Sequence, residues 1–316
     1  MRALGLLVCG LLLAPLAARA DDLRGWGYLV ERLAADGVDR ERALRTFRDP
    51  RIAPFTGLGF GLDPREPRSM YRRFLGTASI AAARRCRAEH AAVLEAAERA
   101  HGVPASVVAA VLWVETGCGR NTGRSGILEA LARLAMANEP ANLDANIVRH
   151  AGRRGPDAAL VARLRARARY LEDTFYPEVR ATFALADRLG VDPLALRGSG
   201  SGAFGFPQFL PTSFLRYGSD GGDDGVVDLY DPADAAASCA NYLAAHGWRG
   251  AMSEADRRAV IWHYNRSAAY VETVLTLARR IEGPSTAPPT RLVRHKVRKP
   301  AGGIVSAGKS ARQSGA

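Results

Sequence analysis

The chain has 316 residues, 47% of them hydrophobic, and a formal net charge of +12. This length allows one large domain or two modest ones, and the apolar content supplies a substantial core, which excludes a wholly disordered protein. The cysteines form no CxxC pair and the chain contains no HExxH sequence, so a zinc site is not expected.

The N-terminus has the pattern of a secretory signal peptide. A basic start precedes an apolar stretch at 3–18 and a small-x-small cleavage site at 18–20. The stretch is short for a membrane span, and no later segment is expected to cross a bilayer. Cys9 lies too early, and follows the bulky Val8, for a lipidated cysteine. We therefore expect an exported protein, soluble in the periplasm after removal of residues 1–20.

Hydrophobic periodicity predicts a mostly α (α+β) protein with few strand signals. Residues 49–69 are rich in Pro and Gly and are expected to form an extended connection. A glycine-dense loop at 198–205 and an acidic loop at 220–234 are two further irregular segments. The predicted helices are about 22–47 (interrupted at 36–37), 70–100, 105–115, 125–137, 157–173, 177–189, 233–245 and 254–281.

Glu115 lies at the end of an unusually apolar helix. The preceding stretch 105–114 reads ASVVAAVLWV, Pro104 suits the first turn and Gly117 suits the end. A helix that is apolar on every face is buried. Burial and the negative end of the helix dipole both raise the pKa of a carboxyl at this position, as a general acid working near neutral pH requires. The alternative is a glutamate whose carboxylate simply reaches solvent at the helix terminus.

Three cysteines remain after signal removal, namely Cys86, Cys118 and Cys239. One disulfide would leave an unpaired thiol, and export would place all three in an oxidising compartment. Because Cys118 is three residues from Glu115, a bridge from it would brace the candidate site. Three buried cysteines without any bond are the alternative.

Two loops have compositions that indicate ligand binding. The sequence 200–205 matches GxGxxG, but no buried strand precedes it, so we expect close approach of the backbone to a bulky substrate rather than a dinucleotide site. The acidic loop is similar to a calcium loop with Gly225 at its turn, although Gly222 stands where a ligand is usual. A metal-free turn is the alternative. The candidate ligands are Asp220, Asp224, the carbonyl of Val226 and Asp234.

The positive charge is concentrated in a C-terminal tail. Residues 283–316 contain no acidic residue, whereas the body from 21 to 282 carries a net charge of only +3. Such a tail is expected to be disordered, and its charge suits an anionic wall polymer or membrane surface. Nucleic acid is not an expected partner, because exported proteins seldom meet it and no aromatic residues interleave with the cations. The cations are Arg291, Arg294, Lys296, Arg298, Lys299, Lys309 and Arg312.

Several motifs follow one another along the chain. They are GVPASV at 102–107 with ETGCGR at 115–120, GSGSGAFGFPQFLPTS at 198–213, DGVVDLYDPADAAAS at 224–238, NYLAAHGW at 241–248 and YNRSAAYVETV at 264–274. In this order they resemble the type B lytic murein transglycosylases, the membrane-bound lytic transglycosylase B-like group of glycoside hydrolase family 103. The resemblance covers roughly 22–281 and leaves out the signal and the tail.

The resemblance implies a lysozyme-like fold with an additional N-terminal helical region and an EF-hand-like loop. The catalytic domain would occupy 21–282, with the helical part at 21–84 and the lysozyme-like core at 85–282. The enzyme would cleave the β-1,4 bond between N-acetylmuramic acid and N-acetylglucosamine in peptidoglycan and form 1,6-anhydromuramic ends. Glu115 would be the sole catalytic carboxyl, acting as both acid and base.

Further implications concern ligands and partners. No cofactor is required, any calcium would be structural, and a monomer acting on peptidoglycan glycan strands is expected. A structural role is the alternative for each substrate-binding residue, such as a core aromatic for Tyr270 or a brace of the glycine loop for Gln208. A hydrolytic muramidase on the same fold and a non-catalytic wall-binding protein are the alternative functions. The implied substrate-binding residues are Ser199, Gln208, Tyr242, Asn265 and Tyr270.

Overall fold

The computed structural model describes residues 23–62 and 66–282, which fold almost entirely into helices. The predicted signal peptide at 1–20 and the predicted basic tail at 283–316 lie outside the described residues. Among the described residues, no helix is both long and apolar enough to cross a membrane.

The helices are connected by short turns and by one minimal sheet. Strand β1 (Ser125–Gly126) pairs antiparallel with β2 (Arg197–Gly198), with Ser125 opposite Gly198. The α-helices of the described residues are α1 Gly27–Ala35, α2 Arg40–Arg48, α3 Arg68–Arg72, α4 Thr77–Glu89, α5 Ala91–His101, α6 Ala105–Thr116, α7 Ile127–Ala135, α8 Pro140–Ala151, α9 Ala158–Leu189, α10 Pro211–Tyr217, α11 Pro232–Ala245, α12 Glu254–Tyr264 and α13 Ala268–Glu282.

Helix α6 lies at the centre of the first of two large hydrophobic cores. Every residue from Ala105 to Val114 is buried, which confirms the expectation for a helix that is apolar on all faces. Its many small side chains allow α4, α5, α11 and α13 to pack closely around it. The helix stops at Thr116 because Gly117 takes the left-handed conformation, with a φ of 62°.

The second core is built on the long helix α9, which packs against α7, α8 and α10. Helices α1 and α2 contribute Leu29, Leu33 and Phe47 to it. Two aromatic side chains, Tyr242 and Tyr264, pack against both cores and so connect them.

The predicted break at Pro177 is wrong, because α9 continues through this residue from Ala158 to Leu189. Proline inside a helix costs about 3 kcal/mol through a lost hydrogen bond and a steric clash. Here Tyr176 and Val179 are buried on either side of Pro177, and their packing in the second core keeps the helix continuous.

The prediction of one helix at 254–281 is also wrong, since the chain breaks between α12 and α13. Asn265 adopts an extended conformation (φ −145°, ψ 123°), and the Ser267 hydroxyl accepts a hydrogen bond from the Tyr270 N–H at 3.3 Å. The predicted helix at 70–100 similarly divides into α3, a 3₁₀ turn, α4 and α5, and helices α8 and α10 were not predicted. These breaks depend on local capping, which hydrophobic periodicity does not report.

Cys86 and Cys118 form a disulfide, and Cys239 is buried with a free thiol. The bond joins α4 to the residue that follows α6 by two positions, so the open question of cysteine pairing is resolved in favour of the brace. Cys118 itself has a φ of 58°, an uncommon conformation for a residue with a side chain. The disulfide therefore holds the chain just after the end of α6, the helix that carries Glu115.

We expect replacement of both bridged cysteines by alanine to lower the free energy of unfolding by about 2–4 kcal/mol, because the bridge closes a loop in the unfolded chain. The double variant Cys86→Ala/Cys118→Ala avoids a new thiol that could exchange with Cys239. Urea denaturation of the variant and of wild type, each with and without reductant, measures the difference. A variant as stable as the oxidised wild type would show that the bond contributes nothing.

Candidate active site

The carboxyl group of Glu115 is half-buried near the end of α6. The Tyr270 hydroxyl donates a hydrogen bond to its Oε1 atom at 2.6 Å. Burial raises the pKa of Glu115 to about 7, the hydrogen bond from Tyr270 opposes this rise, and the nearby negative charge of Glu66 adds to it. A substantial fraction of the carboxyl is thus protonated at neutral pH, as a general acid requires.

A cavity of about 350 Å³ opens beside Glu115. Its wall is formed by α3, the end of α6, the break between α12 and α13, and the start of α13. Apolar and aromatic surface alternates there with a few polar groups, which is the usual composition of a small-ligand site. The lining includes Glu66, Tyr71, Arg73, Glu115, Asn265 and Tyr270.

Glu66 is a second carboxyl in this cavity, and the sequence did not indicate it. Tyr71 donates a hydrogen bond to Glu66 Oε2 at 2.5 Å, and the Tyr71 ring lies edge-on to the Tyr270 ring with centroids 6.0 Å apart. Burial raises the pKa of Tyr71, and its hydrogen bond to Glu66 acts in the same direction. Glu66 stands 49 positions before Glu115, at the end of the predicted connection, so only the tertiary structure brings the two together.

Three of the predicted site residues meet in the cavity, namely Glu115, Asn265 and Tyr270. The break before α13 places the Asn265 side chain at the cavity. In a continuous helix the direction of this side chain would be set by the helix instead. Ser199, Gln208 and Tyr242 lie in neighbouring parts of the fold. Their roles in substrate binding remain predictions.

Ser199 and Gln208 organise the glycine-dense loop. The Ser199 Oγ atom accepts the N–H of Ala203 at 3.1 Å. The Gln208 amide nitrogen donates to the carbonyls of Gly205 and Thr122, at 3.0 and 3.2 Å. The contact with Thr122 ties Gln208 to the segment that follows α6. The hydroxyl of Thr116, the last residue of α6, donates to the carbonyl of Phe206 at 2.9 Å.

The loop approaches this segment closely because glycine occupies the contact. A side-chain carbon at Gly123, whose φ is 87°, would lie 2.1 Å from the carbonyl oxygen of Gly198. Any other residue would separate the two segments.

Tyr242 belongs to an aromatic cluster on α11 and α12. Its ring stacks on His246 at 4.1 Å and meets Tyr217 and Tyr264 at near-perpendicular angles, both at 4.9 Å. Its hydroxyl donates to the carbonyl of His263 at 2.8 Å. The cluster reaches the cavity through Tyr264, whose ring stacks parallel to that of Tyr270.

The acidic loop is organised around Asp234, which is buried. Asp234 Oδ1 accepts the N–H groups of Gly221 and Gly222, and Oδ2 accepts that of Asp228 at 2.6 Å. Asp220 similarly accepts the N–H of Gly225 at 2.7 Å. These main-chain hydrogen bonds would hold the turn without an ion.

The same loop retains part of the chemistry of a calcium site. One oxygen each of Asp220 and Asp234 lies 3.9 Å from the position that a side-chain carbon at Gly222 would take, so both carboxylates lie near this glycine. Asp224 uses its carboxylate to accept the N–H of Val226 at 2.9 Å. Within residues 23–62 and 66–282, no group of three or more His, Cys, Asp or Glu side chains is placed to hold a metal. The calcium ligands and the EF-hand-like loop therefore remain predictions.

Comparison with known proteins gives the family. The family model of the transglycosylase SLT domain matches residues 28–256. The chain belongs to this family. The membrane-bound lytic murein transglycosylase B of Escherichia coli K12 is 36% identical over 155 residues, which make up 49% of this chain and only 35% of that relative. The predicted resemblance to type B lytic murein transglycosylases is thus confirmed.

Solved structures agree with the fold. Catenated lytic transglycosylase SltB1 from Pseudomonas aeruginosa is 26% identical, with a TM-score of 0.62 over 81% of this chain and 96% of that one. Escherichia coli lytic transglycosylase Slt35, in complex with bulgecin A, is 21% identical, with a TM-score of 0.60 over 82% of this chain and 92% of that one. The predicted mostly helical, lysozyme-like fold is confirmed.

We expect Tyr270→Phe to raise the pKa of Glu115 above its value of about 7, because the phenol that stabilises the carboxylate form is lost. The alkaline limb of kcat/KM should therefore move to higher pH, by about half a unit to one unit. Murein digestion followed across pH 4–10 measures the limb.

Tyr264→Phe is the matched control, because its hydroxyl donates to the Pro207 carbonyl and its ring lies in the same stack. This control should leave the alkaline limb in place. If the alkaline limb of kcat/KM for Tyr270→Phe stays at the wild-type pH or moves to lower pH, the role of the hydrogen bond from Tyr270 to Glu115 is contradicted.

Proposed function

We propose that the protein is a lytic transglycosylase that cleaves the β-1,4 bond between N-acetylmuramic acid and N-acetylglucosamine in peptidoglycan. The observation that carries the proposal is the Glu115 carboxyl, which is held at the end of a buried helix with a pKa of about 7 and opens into a cavity. Family membership supports the same reaction class. A protein that only binds wall polymer would have no use for an acid in this environment.

One carboxyl is sufficient for this reaction. Glu115 would first donate its proton to the glycosidic oxygen as the bond from the muramoyl C1 breaks. The muramoyl 6-hydroxyl would then attack C1, and the Glu115 carboxylate would take the hydroxyl proton. The products are a new free hydroxyl on the leaving sugar and a 1,6-anhydro ring, and Glu115 is protonated again. No water is consumed.

The cavity supplies groups suited to the sugar. Tyr270 would hold Glu115 in place, and the Asn265 amide would face sugar hydroxyls or the acetamido group. Ser199, Gln208 and Tyr242 are proposed to contact the glycan further along the cleft, beyond their observed contacts in the loop and the aromatic cluster. The proposed reaction needs no cofactor.

Glu66 is the one observation that favours a hydrolytic muramidase instead. Glycosidases that use water pair an acid with a second carboxylate, and Glu66 is such a group in the same cavity. Its carboxyl, however, is hydrogen-bonded to Tyr71. The two reactions differ in their products, since transglycosylation leaves anhydro ends and hydrolysis leaves reducing ends.

We further propose, from the sequence alone, that the protein is exported to the periplasm. We also propose that the basic tail associates with anionic wall polymer or membrane surface, and that the protein acts as a monomer. Salt would weaken such an association.

We expect Glu115→Gln to lower murein cleavage by about 10²–10⁴-fold, because the amide can neither donate nor accept the proton. Mass analysis of digested sacculi should show 1,6-anhydromuramic ends with wild type and almost none with the variant. The melting temperature at pH 8 is the control for folding, and it should be at least that of wild type, because the neutral amide is easier to bury than a carboxylate. Activity within about tenfold of wild type would exclude Glu115 as the acid.

We propose that calcium, where bound, stabilises the acidic loop and does not take part in catalysis. Saturating calcium should then raise the melting temperature over that in chelator, through preferential binding to the folded state. The double variant Asp220→Asn/Asp224→Asn, which keeps the buried Asp234, should lose this difference. Equal melting of wild type in both conditions would show that the hydrogen bonds from the main chain to the carboxylates hold the turn by themselves and that the calcium site does not exist.

A further inference from the structure

Arginines are concentrated where α8 passes into α9. Seven of them stand between residues 149 and 169, against one acidic residue, Asp157, which gives this segment a net charge of +6. The whole body from 21 to 282 carries only +3, so the rest of the body is net negative. None of the arginines whose side chains the structure describes in this segment lines the cavity beside Glu115.

The packing of the two helices leaves the charged side chains on the outside. Leu143 and Ile147 of α8 pack with Leu164 and Ala168 of α9 in a small hydrophobic cluster. The arginines that remain exposed around this cluster form a surface that we call the basic corner. Its members are Arg149, Arg153, Arg163, Arg165 and Arg169.

Neighbouring acids do not neutralise the basic corner. Within residues 23–62 and 66–282, neither Arg165 nor Arg169 forms a hydrogen bond or an ion pair. The two are four positions apart on α9, where like charges destabilise a helix. Glu172 is buried and accepts a hydrogen bond from Tyr28 at 2.7 Å, so of the two acids that follow on α9 only Asp173 is exposed. The corner thus presents an excess of positive charge to solvent, which suits an anionic partner.

Two exposed apolar side chains adjoin the basic corner. Val148, beside Arg149, is 71% exposed, the highest value among the large hydrophobic residues that the structure describes. Tyr170, beside Arg169, is 53% exposed, and the guanidinium of Arg167 lies 5.1 Å from the centre of its ring. Aromatic and aliphatic side chains among cations are the composition that binds at the headgroup level of a bilayer. A soluble polyanion, by contrast, would be held by charge alone.

We propose that the basic corner docks the protein on an anionic phospholipid bilayer. Arg165 and Arg169 bind headgroup phosphates, which a guanidinium matches with two parallel hydrogen bonds. Val148 and Tyr170 enter the headgroup level beside them. This docking is a property of α8 and α9, so it depends neither on the proposed reaction at Glu115 nor on the basic tail.

Co-sedimentation with phospholipid vesicles tests the docking. Residues 21–316 are mixed at low salt with vesicles of phosphatidylcholine alone, or of phosphatidylcholine and phosphatidylglycerol in equal parts. We expect binding to the anionic vesicles only. Arg165→Gln/Arg169→Gln should lower the partition coefficient by about 30-fold, because each arginine near an anionic surface contributes about a factor of five. Val148→Ser/Tyr170→Ser should lower it by about tenfold, because apolar contact with the bilayer is lost.

Arg85→Gln/Arg99→Gln is the matched control. It removes the same charge from exposed positions on α4 and α5, which belong to the first core. It should leave the partition coefficient within about twofold of wild type, since charges beyond a Debye length of the surface are screened. The melting temperature of every variant should stay close to that of wild type, because the changed side chains are exposed.

Three results would overturn the docking site. If Arg165→Gln/Arg169→Gln binds anionic vesicles as wild type does, the attraction comes from another part of the chain, such as the tail. If the control on α4 and α5 loses as much binding, net charge alone is responsible. If Val148→Ser/Tyr170→Ser keeps full binding, the corner acts by charge alone, as it would on any polyanion, and has no particular fit to a bilayer.

Discussion

Most of the structure serves to place one carboxyl where its ionisation is opposed by burial. Glu115 ends a helix whose other positions are buried by α4, α5, α11 and α13. Its pKa of about 7 lies above the ordinary 4.5. Between these two pH values the folded state binds more protons than the unfolded state, so the contribution of Glu115 to stability falls as the pH rises through this window. The fold therefore maintains its candidate acid at a cost in stability at neutral pH, which the packing of α6 and the Cys86–Cys118 bond offset.

Aromatic rings connect the second core to the surroundings of Glu115. Tyr242 and Tyr264 pack against both cores, and the Tyr264 ring lies parallel to that of Tyr270. The Tyr264 hydroxyl donates to the Pro207 carbonyl at 2.6 Å, which connects the same stack to the glycine-dense loop. The Tyr270 ring is thus packed against aromatic rings that contact both cores, while its own hydroxyl makes the hydrogen bond to Glu115.

The sequence predicted the environment of Glu115 correctly but placed several helix boundaries wrongly, and both outcomes have physical reasons. The apolar run before Glu115 is a local property, so the burial of α6 and the raised pKa of Glu115 followed from it. The predicted break at Pro177 was wrong because tertiary packing outweighed the low helix propensity of proline. The break at Asn265 depends on the cap from Ser267, a single hydrogen bond that periodicity cannot report.

Glu66 could not be found in this way, because its importance comes from contact with Tyr71 and with a cavity formed by α6 and α13. No pattern in the neighbouring sequence distinguishes Glu66 from any other glutamate in a connecting segment. The order of the motifs along the chain was a stronger signal, and it gave the family that the comparisons confirm.

The exposure of each group in the cavity decides how strongly it acts on Glu115. Tyr270 is buried, and its hydroxyl lowers the pKa of Glu115 through a direct hydrogen bond. Glu66 is exposed, and its negative charge raises this pKa less than burial does. Arg73 lines the same cavity and is also exposed, so water and salt weaken its effect on the Glu115 carboxyl. Arginines placed deeper would stabilise the Glu115 carboxylate and remove the acid that the reaction needs.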